Sequence, residues 1–474
     1  MESSNRKKQA FKSLLFLSVS FQIVFTAYMA LQNLQSSLNQ EAGLGTVSLS
    51  ALYACIILSG TLAPVCISKI GAKWSLVAAW VSHCLYTGAN FYPRWATLVP
   101  ASVLVGALAG PLWTSQSVYL THQAYVYADA SGEASSAVLS KFNGIFFTLF
   151  ETTQITGNLI SSLVLKEQPD PGDAYNVTSA NVTLTCGADD CPTSANATAI
   201  EEPPTYVVYT LLGVFLALDI IGLVMTIAFL PSLNRKPPKE ELSVLKSALS
   251  CGKLLTDSKM FLLVPLISFM AMEQGILWSE FTKSYISCAL GVGMVGYIMA
   301  AYGGSTTIFA FLFSRLAECT GRYVMFGLAG SVNMAILVLL LYWQPTSDAI
   351  PIYFVLVIVW GLAEGIWQTQ SNALVALVFH ESPDPAFANY HTWKAVGFTV
   401  TFAYSSFLCV STKLYVGIGL LALGMLCYVI VEVKLKVGQS SEGSYEVPST
   451  DDVKSDSKAS YESQKNKALL KNRS

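Results

Sequence analysis

The sequence predicts an all-α polytopic membrane protein whose twelve transmembrane helices form two pseudo-symmetric six-helix halves. Three observations carry that reading. The 474 residues are 53% hydrophobic and only 12% charged, where a soluble domain carries about 25% charged residues. Apolar runs long enough to cross a bilayer recur along the chain, and in lipid only helices that satisfy their own backbone hydrogen bonds survive as such spans. Finally, the pattern Leu-Ala-x-x-x-Trp-x-x-Gln-Ser is written twice, within Ala107–Ser117 and again within Gly361–Ser371.

The elements follow in order. Residues 1–10 form a short N-terminal segment in which Arg6, Lys7 and Lys8 precede the first apolar run. A secretory signal begins in the same way, but this run exceeds a signal core and no small-residue cleavage site follows, so it reads as a span. The first half, residues 11–230, carries runs at Phe11–Leu34, Thr46–Ile67, Trp74–Phe91, Ala96–Ser117, Phe142–Leu165 and Tyr206–Leu230. Residues 231–259 form a connector, in which Pro237-Pro238 followed by Leu242, Leu245 and Leu249 among Lys and Glu suggests a surface-lying amphipathic helix. The second half, residues 260–433, carries runs at Met260–Trp278, Gly291–Phe313, Val324–Trp343, Ile350–Leu377, Trp393–Val410 and Leu414–Val433. The tail, 434–474, is Ser, Glu, Lys and Asp from Gly438 onward and is expected to be disordered.

Orientation comes from Lys and Arg, which stay on the cytoplasmic side. With the N-terminus inside, only Arg94, Lys166, Lys283 and Lys413 fall outside, and the C-terminus is cytoplasmic as well. The longest outside loop, 166–205, holds three glycosylation sequons at Asn176, Asn181 and Asn196, and glycosylation needs that side. The same loop holds Cys186 and Cys191 in CGADDC. In an oxidising compartment they are candidates for a disulfide with each other, with Cys288 and Cys409 as competing partners.

Further echoes support duplication. Lys141-x-x-Gly144 recurs as Lys394-x-x-Gly397, and Ser68-Lys-Ile-Gly71-Ala-Lys73 as Glu318-Cys-Thr-Gly321-Arg322. An even number of helices returns the chain to its starting side, so both copies share one orientation, as in the parallel halves of the major facilitator superfamily. By superfamily logic, helices one, four, seven and ten line the central cavity. The facilitator loop motif is degenerate in the first copy, with Ser68 at its Asp position, while the second keeps Glu318, Gly321 and Arg322.

Charged residues deep in spans are costly and mark function by default. Glu151, Asp219, Glu273 and Glu364 qualify, and no Lys or Arg stands at evident depth to pair with them. Acids in a low dielectric without a counter-charge suit proton or cation binding. Glu364 has the strongest claim: it shares a helical face with Trp367 and Gln370, and its first-half counterpart is Gly110, so it is not duplicated scaffold. The bland alternative is that these acids only bond neighbouring helices. Trp113 and Trp367, near the inner interface, read as anchors. A net charge of −2 leaves no basic surface for nucleic acid. No nucleophile-base-acid set, metal-ligand spacing or phosphate loop stands out, so no cofactor is expected and an enzyme is the least supported class.

Specific motifs carry a family resemblance. Phe21-Gln-x-x-Phe25-Thr-Ala-Tyr28, Leu34-Gln-Ser-Ser-Leu38, Gly43-Leu-Gly45 and Leu52-Tyr53 resemble the opening of the uncoordinated-93 family. Pro111-Leu-Trp113, Cys186-Gly-Ala-x-Asp-Cys191, Glu280-x-Thr-x-Ser-Tyr285, Thr320-Gly-Arg322, Trp367-Gln-Thr-Gln370 and Ala386-Phe-Ala-Asn-Tyr390 continue it, from about Phe11 to Val433. The pattern departs at Lys394, where the resemblance implies an acid, so that acid's role does not carry over. The resemblance implies a facilitator-type fold at the plasma membrane and a regulatory role. One member acts with a two-pore-domain potassium channel complex, and another escorts nucleic-acid-sensing receptors through the secretory pathway. Two functions therefore compete: a regulator or accessory subunit of a potassium channel or other membrane protein, and a proton- or cation-coupled transporter of a small solute.

Overall fold

The computed structural model describes residues 2–165, 186–192, 203–233, 254, 257–379 and 383–442. Its regular elements are all helical: α1 Glu2–Leu38, α2 Leu44–Ala89, α3 Trp95–Ser131, α4 Ser135–Leu165, α5 Thr205–Phe229, α6 Ser258–Ile276, α7 Gly293–Thr320, α8 Arg322–Tyr342, α9 Ile350–Val378, α10 Pro383–Ser405 and α11 Val410–Glu442. Each predicted apolar run lies largely on one of them, and nine stretches of the described residues are long and apolar enough to cross a membrane. Large apolar side chains such as Phe261, Phe311, Ile308 and Leu426 are exposed, as a lipid-facing belt requires.

Two of the predicted runs lie on α2, which breaks at Gly71 with φ 82° and ψ 160°. The boundary between α7 and α8 is Gly321, with φ 81° and ψ 151°. Only glycine occupies that region without strain. The sequence echo around Gly71 and Gly321 is thus one turn geometry used twice, each time where the chain reverses after a long helix.

The opening repeat is also a packing device. A Cβ on Gly106 would lie 2.1 Å from the Leu52 carbonyl oxygen, and one on Gly110 2.3 Å from that of Ser59, so α3 and the first leg of α2 touch backbone to backbone. In the second copy, a Cβ on Gly361 would meet Ser305 Oγ at 2.0 Å, and one on Gly365 would meet Ala310 N at 2.6 Å, so α9 lies equally close on α7. Small residues permit such approach. Gly110→Leu and Gly365→Leu are each expected to cost about 1–3 kcal/mol through overpacking, read as a fall in melting temperature; unchanged melting would refute the close approach.

Past α6 the chain continues as a π-helix, Leu277–Ser287, and one short α turn, Cys288–Leu290. The wider coil turns a run of buried polar side chains toward neighbours. Thr282 shares a hydrogen bond with Ser36 at 3.2 Å, Ser287 with Ser37 at 2.9 Å, and the Tyr285 hydroxyl donates to the Leu340 carbonyl at 2.7 Å. At the same end Ser50 Oγ donates to the Thr399 carbonyl at 2.9 Å, Thr46 meets Ser406 at 2.9 Å, and Ser162 Oγ donates to Gly293 O at 2.7 Å. Hydrogen bonds thus join α1, α2 and α4 to the second set of helices at the end that carries CGADDC.

Met1–Cys427 form one compact unit and Tyr428–Ser474 a second. In the second, the described part is the last stretch of α11, where the Tyr428 hydroxyl donates to Glu432 at 2.6 Å. The helix runs to Glu442, past Gly438, where disorder was expected to begin.

Candidate functional site

Glu273 and Glu364 meet between α6, α8 and α9, 0% and 1% exposed. Glu273 Oε2 accepts from Asn333 Nδ2 at 3.1 Å and from the Trp360 indole N–H. Glu364 Oε1 accepts from the Gln274 amide. Trp360 sits one turn before Glu364 on α9, and Gln274 follows Glu273 on α6, so each helix grips the acid of the other. Trp367 Nε1 donates to Asn333 Oδ1 at 3.2 Å, which orients the Asn333 amide toward Glu273. The two buried carboxyl groups lie close enough to interact electrostatically.

Around this pair lie further polar groups. Glu151 on α4 is half-buried and interacts electrostatically with Glu364. Tyr302 on α7 lies within range of Glu151, Glu273 and Glu364. Lys394 on α10 interacts with both Glu364 and Glu273, its Nζ 5.9 Å from the centre of the Tyr390 ring. The expectation that no cation stands at the acids' depth is therefore corrected. Because α10 begins at Pro383, Lys394 lies well inside the helix rather than at the edge of the Trp393–Val410 run.

The other predicted residues do not join. Asp219 on α5 accepts from the Thr87 hydroxyl at 2.6 Å, within the first set of helices. Gln370 is buried, with Thr369 Oγ1 3.4 Å from its amide. Trp367 is 1% exposed and engaged with Asn333, so it is no interfacial anchor; Trp113 packs against Phe21, Phe25 and Phe150. Asn333, Trp360 and Gln274 are the functional candidates that sequence reasoning missed, since nothing local distinguishes them from other polar or aromatic residues of spans.

A second cluster gathers at the CGADDC end. Cys186 is bonded to Cys288 and Cys191 to Cys409, which corrects the expected pairing of Cys186 with Cys191. The physical reason is local: Gly187–Asp189 form a 3-10 turn that carries the two cysteines toward different helix ends. The turn is fastened further. Asp190 Oδ2 accepts from Ser284 Oγ at 2.6 Å, the Asp190 carbonyl from Val410 N at 3.0 Å, and Asp189 from the Gln344 amide at 3.2 Å. Beneath it Lys413 Nζ donates to Glu280 Oε2 at 2.7 Å, an ion pair with both side chains 3% exposed. Asn176, Asn181 and Asn196 lie outside the described residues, as does most of the connector.

Among solved structures, a mutant of the nucleoside transporter NupG superposes with a TM-score of 0.62 at 12% identity, covering 88% of this chain and 99% of that one. A peptide transporter, POT, in complex with sulfate gives 0.61 at 12% identity, covering 90% and 95%. Both likenesses concern the fold, which is facilitator-like. By sequence the chain is 37% identical to protein unc-93 homolog A of Xenopus laevis, over 94% of this chain and 98% of that one, and 41% identical to the Bos taurus homolog A over 89% and 93%. It is 31% identical, over 91% of its length and 62% of the relative's, to a Caenorhabditis elegans protein whose name assigns it provisionally as the potassium channel regulatory protein unc-93. The family model described as ion channel regulatory protein UNC-93 matches residues 35–429, and the chain belongs to that family.

Proposed function

We infer that this chain is a non-enzymatic regulator or accessory subunit of an ion channel, a potassium channel foremost. It sits in the plasma membrane with twelve spans in two six-helix halves and both termini cytoplasmic. The observation that carries this reading is the match over most of the chain to a family described as ion channel regulatory, with a potassium channel regulator by name among its relatives. The test is electrophysiology with and without co-expression of the chain. A potassium current whose amplitude or voltage dependence changes with the chain supports the reading. Currents from a panel of potassium channels that never change would refute it.

The sealed carboxylates favour a second reading, a proton- or cation-coupled transporter of a small solute. Reconstituted protein would then show saturable uptake driven by a pH or cation gradient, reduced at least about tenfold by Glu273→Gln or Glu364→Gln, the factor set by about 1.4 kcal/mol. Uptake that both substitutions leave intact would remove the acids from the mechanism. Topology has its own check: glycosidase treatment is expected to increase gel mobility through Asn176, Asn181 or Asn196, and an unchanged mobility from glycosylating cells argues against the outside placement of 166–205.

A further inference from the structure

Glu273 and Glu364 each bury one carboxyl oxygen that no donor among the described residues serves. Donors reach both acids: Trp360 and Asn333 on Glu273 Oε2, and Gln274 on Glu364 Oε1, with the Gln368 amide one turn along α9 also near Glu364. Glu273 Oε1 and Glu364 Oε2 have no hydrogen-bond partner among the described residues, although both side chains are sealed from solvent. An ionised carboxylate only accepts. Two of them this close would repel, and each would keep a buried acceptor unpaired. A single proton on one of the free oxygens removes one of the charges and donates to the other acid, so one hydrogen relieves both problems.

A metal cation fits less well. Hard cations gather about six or more oxygen ligands, while the groups that close on this pair from α8, α9 and α6 are N–H donors whose hydrogens repel a cation. The charged and titratable groups facing the pair are Glu151 on α4, Tyr302 on α7, and Tyr390 and Lys394 on α10. Glu151 opposes a second negative charge, and Lys394 supports the one that remains.

We propose that Glu273 and Glu364 bind one exchangeable proton between them, as a single-proton acid pair braced by Trp360 and Gln274. This deepens the transport reading by naming its coupling ion, and rests on that reading only for the coupling. Absence of uptake leaves the pair standing, because its test reads protonation and not transport.

That test is infrared difference spectroscopy of the full chain in lipid nanodiscs, with pH stepped in H2O and in D2O. A deuterium-sensitive C=O stretch of a protonated carboxyl is expected in the wild type and is lost in Glu273→Gln. It is equally lost in Glu364→Gln, and the double substitution removes no more than either single one. Asp219→Asn leaves the band unchanged. Additive losses would mean two independently protonated acids, and a band missing from the wild type or untouched by both substitutions would mean no shared proton; each overturns the proposal. Should a glutamine variant fail to fold, Glu273→Asp and Glu364→Asp decide. Each shifts the band if the pair carries it, and an unshifted band overturns the proposal as well.

Discussion

Replacing Lys413 by methionine is expected to destabilise the protein by about 3–5 kcal/mol, the cost of removing one partner of a buried ion pair and stranding the other. Lys413 is 2% exposed, a rarity for lysine, and its ammonium is enclosed by acceptors. Nζ donates to Glu280 Oε2 and to the Ser405 carbonyl, both at 2.7 Å. Glu280 Oε1 in turn accepts from the hydroxyls of Ser405 at 2.6 Å and Ser279 at 3.2 Å. Without Lys413 the carboxylate keeps two hydroxyl donors and loses its only counter-charge among these contacts. The double substitution Lys413→Met with Glu280→Leu is expected to recover most of the loss, because neither charge then needs to be desolvated. Thermal unfolding in detergent of the two variants and the wild type measures both terms. A loss below about 1 kcal/mol for the single substitution, the value of an exposed pair, would show that water reaches the pair.

What the sequence reveals here depends on which physical force writes the signal. Lipid leaves the backbone no alternative to a helix, so long apolar runs announce helices, and each predicted run lies largely on one. Gly71 and Gly321 are legible as a repeated turn because glycine alone takes their backbone conformation. Acids in apolar runs announce themselves by cost alone, and two of the four, Glu273 and Glu364, form the buried pair. Their partners are silent. Helices apolar nearly all round carry no amphipathic stripe to fix their rotation, so nothing local says that Trp360 rather than Trp367 reaches Glu273, or that Asn333 does. Lys394 misled for a related reason, and the burial of Lys413 is equally hidden. Each sits at the edge of an apolar run, where a lysine usually reaches back to water, and only the packing of α10 and α11 shows them to be enclosed or set against the acids.

Joint removal of the two disulfides is the other large effect expected, and it follows from the same end of the molecule. Cys186–Cys288 and Cys191–Cys409 span sequence separations of 102 and 218 residues, where chain entropy alone sets an upper figure of about 4.7 kcal/mol for a loop of about 100 residues. An unfolded membrane chain stays threaded through the bilayer and has less freedom to lose, so about 2 kcal/mol per bridge, the low end of the usual range, is the expected value. A single bridge between Cys186 and Cys191 would close a loop of about six residues, worth about 2 kcal/mol by the same measure, and would be lost in one step rather than two. The two pairings are therefore separable by experiment. Matched removal, Cys186→Ser with Cys288→Ser, is expected to lower the melting temperature with the second bridge intact, and adding Cys191→Ser with Cys409→Ser lowers it again by a similar step. Non-reducing proteolysis and mass mapping would recover 186 linked to 288, and 191 linked to 409. Recovery of a peptide closed between 186 and 191 would instead restore the local pairing. CGADDC would then be held to α11 and the π-helix through hydrogen bonds such as those of Asp190 with Ser284 and Val410, worth about 1 kcal/mol each.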